Sequence, residues 1–124
     1  ERVWPGAVTA VFQHKEKLPT TLTGGRATIG IRIPDHPFIL KLLAELGVPL
    51  AQTSANMSFK PPAKTAEEAV QYFEESEIKP DLVIDGGTVP GVSSMVIDCT
   101  GVHPLILRSG IMSKQDLDRM ADSF

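Results

Sequence analysis

Residues 27–49, ATIGIRIPDHPFILKLLAELGVP, constrain the fold of this chain more than any other stretch. Residues 27–33 alternate with the period of a strand. Ile29, Ile31 and Ile33 fall on one face, and Thr28, Gly30 and Arg32 on the other. Pro34 ends the strand. Asp35 or His36 then takes a helix cap, and Pro37 suits the first turn, where its missing N–H costs nothing. Phe38, Ile39, Leu42, Leu43 and Leu46 form one apolar stripe. Gly47 closes the helix and Pro49 prevents its return. A strand that leads directly into an amphipathic helix predicts an α/β arrangement, with the isoleucine face in the core.

The remaining stretches extend that arrangement. Residues 7–12 (AVTAVF) are short, apolar and β-branched, which predicts a strand. Residues 14–25 are polar, contain Pro19 and Gly24-Gly25, and predict a loop. Residues 50–54 (LAQTS) predict a buried strand that runs into a loop at 55–64. Thr65 with Glu68 three residues later forms a capping box, so a helix follows, with Ala66, Ala69, Val70 and Phe73 on its buried face. Residues 81–85 predict a strand that ends at Gly86-Gly87. Residues 95–99 and 105–108 predict two more strands, joined by a turn at Gly101. Ser113 caps a last helix, with Asp116 at its third position and Leu117, Met120, Ala121 and Phe124 as its apolar face. Strands alternate with helices early and cluster late. That order predicts a twisted mixed sheet flanked by helices, in one domain over residues 1–124.

Composition removes several function classes. The chain has 124 residues, is 42% hydrophobic and 22% charged, and therefore reads as globular. Net charge is -3 and the twelve Lys and Arg residues are scattered, against tight sequence-independent binding of nucleic acid. One or two arginines could still hold a small anion. Cys99 is the only cysteine, so no intramolecular disulfide forms, in keeping with a reducing, cytoplasmic setting. No apolar run approaches the roughly 20 residues that span a bilayer.

Four places carry candidate chemistry. On residues 27–33, Gly30 leaves a gap between the Thr28 hydroxyl and the Arg32 guanidinium, across which a ligand could lie. Arg32 could grip a carboxylate or phosphate through two hydrogen bonds; a solvated arginine on a half-exposed strand has the same spacing. Gln52 and Ser54 share a face by period two, and Ser54-Ala55-Asn56 turns out of the strand. Such groups suit a ligand at the carboxyl end of a strand, or a turn that satisfies its own backbone. Ser93-Ser94, behind Gly91, could hold an anion. Arg108, at the end of a strand, is a phosphate clamp or a surface charge. His14, His36 and His103 lack metal-ligand spacing. Asp85-Gly86-Gly87 reads as a turn, and Cys99 as a small core residue.

The order of these pieces resembles the YrdC/TsaC family of threonylcarbamoyl-AMP synthases. The resemblance rests on Trp4-Pro5-Gly6-Ala7-Val8-Thr9, on Gly30-Ile31-Arg32-Ile33-Pro34-Asp35-His36-Pro37 and on Thr53-Ser54-Ala55-Asn56-Met57-Ser58. Asp85-Gly86-Gly87, residues 91–98 and Leu107-Arg108-Ser109-Gly110 follow in the family's order. It implies a YrdC-like fold with a concave basic pocket. It also implies condensation of L-threonine, bicarbonate and ATP to threonylcarbamoyl-AMP and pyrophosphate, with magnesium (Mg2+) arriving on ATP. Other proteins then pass the threonylcarbamoyl group to tRNA.

The resemblance further implies roles for individual residues. Arg32, Gln52 and Ser94 would bind L-threonine, Arg32 through the carboxylate. Thr28, Ser54, Asn56 and Arg108 would bind ATP or AMP. No residue would act as a covalent catalyst, so rate would come from positioning and charge stabilisation. Three places depart from the family pattern: Pro62 stands where a nucleotide-contacting Ser is usual, Met95 ends a Ser93-Ser94-Met95 in place of Pro-Ser-Thr, and Ser109 interrupts Arg-Pro-Gly. The chain begins at Glu1, downstream of where the family's phosphate-gripping Lys-x-Arg stands. The expectation is a domain without its N-terminal part, poorly active alone. Two alternatives remain at this point: a non-enzymatic RNA-binding relative, and the YrdC-like domain of a hydrogenase-maturation carbamoyltransferase.

Overall fold

The computed structural model describes residues 3–15, 18–57, 59–74 and 76–110. Four strands form one mixed sheet: β1 (Val8–Gln13), β2 (Thr28–Ile31), β3 (Met95–Asp98) and β4 (Leu105–Arg108), in the order β2-β1-β3-β4. β1 is antiparallel to β2 and parallel to β3, and β3 is antiparallel to β4. Three helices accompany them among the described residues: α1 (Thr20–Thr23), α2 (Pro37–Leu46) and α3 (Ala66–Glu74). The chain divides into two compact units, one of residues 1–51 with 93–124 and one of residues 52–92. The sheet lies in the first.

The sheet's registers sort its side chains. Val8 pairs with Met95 and Ala10 with Ile97 and Ile31, so the apolar residues of β1, β2 and β3 share one face. Val8, Ala10, Met95 and Ile97 are buried there, Met95 completely. All four lie on the two central strands, where neighbours cover both sides. The predicted isoleucine face points the same way but sits on edge strand β2, and Ile31 and Ile33 stay 44% and 43% exposed. Cys99 packs against this core, as read from its position. Burial first, and then the neighbouring Asp98 carboxylate, raise its thiol pKa.

Local signals predicted α2 and α3, but their apolar faces, read as buried, hold no buried residue, and Phe38, Leu46 and Val70 are exposed. His36 takes the N-cap of α2 without a side-chain hydrogen bond, and its ring meets Phe38 edge-on. Gly47 closes the helix in the left-handed conformation, its N–H donating to the Leu43 oxygen at 3.0 Å. Half of the capping box of α3 forms: Glu68 N–H donates to Thr65 Oγ1, while Glu68 Oε2 accepts from the N–H of Lys64, one residue before the cap. Where a loop was expected at 14–25, one short turn of helix, α1, forms and ends at left-handed Gly24.

Two predicted strands do not form. Residues 50–54 and 81–85 are exposed and in no ladder. Leu82, Val83 and Ile84 keep 75%, 45% and 57% of their surface open. An apolar run becomes a strand only when another strand takes its N–H and C=O groups, and neither segment has one among the described residues. The helix read at 113–124 lies outside the described residues.

Candidate functional site

Strand direction gathers four polar side chains at one end of one sheet face. Thr9 pairs with Val96, and Val11 with Gly30, so Thr9, Gly30 and Val96 share the face opposite the core. Arg32 follows the carboxyl end of β2, and Arg108 ends β4. Thr9 lies near the amino end of β1, and Ser94 immediately precedes β3. Because β2 and β4 run opposite to β1 and β3, these four positions converge at the same end.

A bulge puts Arg108 on this face. Ile97 pairs with Ile106, yet Val96 pairs with Arg108, so Leu107 is an extra residue between them. In a regular register Leu107 would pair with Val96, and alternation would turn Arg108 toward the core side with Ile106. Arg108 Nε donates to the Ser94 main-chain oxygen at 3.0 Å, and Nη2 reaches Ser94 Oγ at 3.5 Å. Ser94 Oγ lies 2.9 Å from Thr9 Oγ1. Gly110 supports the arrangement. Its φ is +63°, and a Cβ there would collide with the backbone of Ser94 and Met95.

On the other flank, Arg32 Nε donates to the Gly6 oxygen at 2.8 Å, which leaves the two Nη groups of an exposed guanidinium for an anion. The predicted gap at Gly30 has an occupant: a Cβ there would stand 3.1 Å from the Thr9 methyl. Thr28 is on the same face as Arg32 but at the other end of β2, opposite Gln13. Four residue steps along the strand separate them, roughly 13 Å, so only an extended ligand reaches both. Thr9 was the residue that sequence reasoning did not single out. Its signal was available in the period-two placement opposite Val8 and Ala10.

Gln52, Ser54 and Asn56 belong to the second unit. No strand forms there, so the period-two face read for Gln52 and Ser54 is absent. The Gln52 amide donates to the Thr53 oxygen at 3.0 Å, and Ser54 is exposed. Asn56 ties its loop together, donating from Nδ2 to the Met57 and Lys60 oxygens at 2.9 Å each. Its buried Oδ1 has no hydrogen-bond partner among the described residues. Phe59, just beyond, is left-handed at φ 67°. Gly87 N–H donates to Asp85 Oδ1 at 2.8 Å, so Asp85-Gly86-Gly87 is the turn it was read as. A groove of about 410 Å³ in this unit is lined by Glu67, Glu74 and Asp85 with Ala66, Val70 and Gln71. Three carboxylates and no cation do not suit an anionic ligand.

No group of three or more His, Cys, Asp or Glu side chains among the described residues is placed to hold a metal ion. None of their helices is long and apolar enough to cross a membrane.

Comparison with known proteins gives the arrangement a context. Residues 1–110 match the Sua5/YciO/YrdC family, whose description reads "telomere recombination". The chain is 39% identical over 120 residues to threonylcarbamoyl-AMP synthase of Bacillus subtilis (strain 168). It is 37% identical over 121 residues to the enzyme of that name from Pyrococcus abyssi. Those alignments take in 95% and 97% of this chain but only 34% and 35% of the two relatives. The crystal structure of P. abyssi Sua5 complexed with L-threonine superposes with a TM-score of 0.83 at 37% identity, over 95% of this chain and 34% of that one. Escherichia coli YciO superposes with a TM-score of 0.77 at 30% identity, over 90% of this chain and 54% of that one. Sequence and fold agree, and this chain belongs to the Sua5/YciO/YrdC family.

Proposed function

We propose that the protein to which this chain belongs is an L-threonylcarbamoyladenylate synthase. It condenses L-threonine, bicarbonate and ATP to threonylcarbamoyl-AMP and pyrophosphate in the cytoplasm, for modification of tRNA by other proteins. The observation that carries the reading is the convergence of Arg32, Ser94 and Arg108 at one end of a sheet that superposes on a threonine-bound relative. Two guanidiniums and a hydroxyl suit two anionic groups held close together, a carboxylate and a phosphate.

In this reading Arg32 binds the threonine carboxylate, and Gln52 and Ser94 complete the threonine side. Thr28, Ser54, Asn56 and Arg108 bind the nucleotide, and Mg2+ enters on the ATP phosphates. The threonine amine first takes up bicarbonate and loses water to give a carbamate. A carbamate oxygen then attacks the α-phosphorus, and pyrophosphate leaves with the electron pair of the broken P–O bond. No protein atom becomes covalently attached. The residues lower the barrier by holding the anions in line and by offsetting charge that builds on the phosphate.

The test is pyrophosphate release by the protein with ATP, L-threonine and bicarbonate, each omitted in turn. Release that requires all three supports the reading. Release that persists without threonine, or binding of tRNA with no binding of threonine or nucleotide, overturns it.

A further inference from the structure

Thr9 has no assigned role, yet the polar end of the sheet is built around it. It is half-buried on central strand β1, with Gly30 of β2 on one side and Ser94 on the other. Its methyl fills the space that Gly30 leaves, at 3.1 Å from where a Cβ would stand. Its hydroxyl lies 2.9 Å from that of Ser94, and either can donate.

The neighbours of Ser94 decide between the two proton arrangements. A hydroxyl has one proton and two lone pairs. Arg108 can only donate, and its Nη2 points at Ser94 Oγ from 3.5 Å. If Ser94 donated to Thr9, its oxygen would face the guanidinium, and it would have no proton for a ligand. If Thr9 donates, Ser94 Oγ accepts from Thr9 and Arg108 together, and its own proton is left for an acceptor outside the protein. With an anion in the site, the second arrangement wins, because a hydrogen bond to a charged acceptor is about twice as strong as one between neutral groups.

We propose that Thr9 is a positioning residue that donates to Ser94 and thereby aims the Ser94 proton at an oxygen of bound L-threonine. This rests on the functional reading above. Thr9 does not touch the ligand; it sets the direction of the residue that does. The Thr9–Ser94–Arg108 chain also links the amino-acid side of the site to the nucleotide side.

The experiment measures the L-threonine Kd by calorimetry for the unaltered protein, Thr9→Val, Thr9→Ser, Ser94→Ala and the Thr9→Val/Ser94→Ala double variant. Thr9→Val keeps the shape against Gly30 and removes the hydroxyl. It is expected to raise Kd roughly three- to tenfold, the worth of one hydrogen bond. Thr9→Ser is expected to bind almost as the unaltered protein does. On the Ser94→Ala background, Thr9→Val should add nothing, because the relay is already broken. The pair Thr9→Ser and Thr9→Ala, which both lack the methyl and differ by the hydroxyl, gives the same comparison if Thr9→Val does not fold. Unchanged binding in Thr9→Val, or losses that add in the double variant, overturns the inference alone. Failure of the unaltered protein to bind L-threonine overturns the functional reading and this inference with it.

Discussion

The guanidinium of Arg108 grips Ser94 at two points, Nε to the main-chain oxygen at 3.0 Å and Nη2 to the hydroxyl at 3.5 Å. The residues are 14 apart in sequence, Ser94 just before β3 and Arg108 at the end of neighbouring β4, brought together by one extra residue in β4. In a regular register of Ile106-Leu107-Arg108, Arg108 would turn to the apolar side, so this irregularity is what brings Arg108 to Ser94.

Gly110 is the first place to test that arrangement. Its left-handed backbone alone disfavours a side chain by about 1–2 kcal/mol, and a Cβ would also overlap the Ser94 and Met95 backbone. Gly110→Ala is expected to lower unfolding stability by more than that amount and to weaken nucleotide binding together with it. Urea denaturation and ATP titration check the two effects.

Arg32 is exposed and makes one hydrogen bond within the protein. Arg32→Ala is therefore expected to change stability by less than about 0.5 kcal/mol, while it weakens L-threonine binding by tenfold or more through loss of a charge-assisted pair. Arg32→Lys restores the charge but not the two-pronged geometry, and is expected to recover only part of the affinity. Calorimetric Kd values, read beside melting curves, separate binding from folding.

Met95 is the one fully buried large side chain among the described residues. Met95→Ala is expected to cost about 2–5 kcal/mol of stability, measurable by chemical denaturation. Met95→Leu, close in volume, should cost less than about 1.5 kcal/mol. Met95 thus serves the core: its side chain packs with Val8.

Asp98 gives a pH dependence with a definite sign. Hydrogen bonds from Thr100, side chain first and main chain second, hold its carboxyl below the usual 3.8. The folded state therefore favours the charged form. The stabilising contribution is present above 3.8 and is lost as pH falls through the lowered folded value. Asp98→Asn should flatten that part of the acid dependence. Unfolding curves near neutral pH and at about pH 3 for both proteins check it; an equal loss in both would show that Asp98 contributes nothing.

Much of the fold was legible from local chemistry. The Pro34–Gly47 segment became a capped helix because its signals act within a few residues: Pro37 at the first turn and Gly47 in the left-handed closing position. Thr65 and Glu68 behaved likewise. Residues 50–54 and 81–85 were misread because an apolar β-rich run looks the same with or without a partner strand, and the partner is a nonlocal fact.

Sequence alone placed Thr28, Gly30 and Arg32 on a common strand face, and tertiary structure decided which residues of the sheet they meet. Period two placed Thr28, Gly30 and Arg32 on one face, since side chains alternate along any strand. It could not show that Thr9 fills the gap at Gly30, because that contact depends on which strand lies alongside and in what register. Nor could it place Arg108 beside Ser94. By alternation Arg108 belongs with Ile106, and only the bulge between paired strands reverses it. Local conformational preference is written residue by residue, whereas register and bulges are settled by the pairing of distant segments.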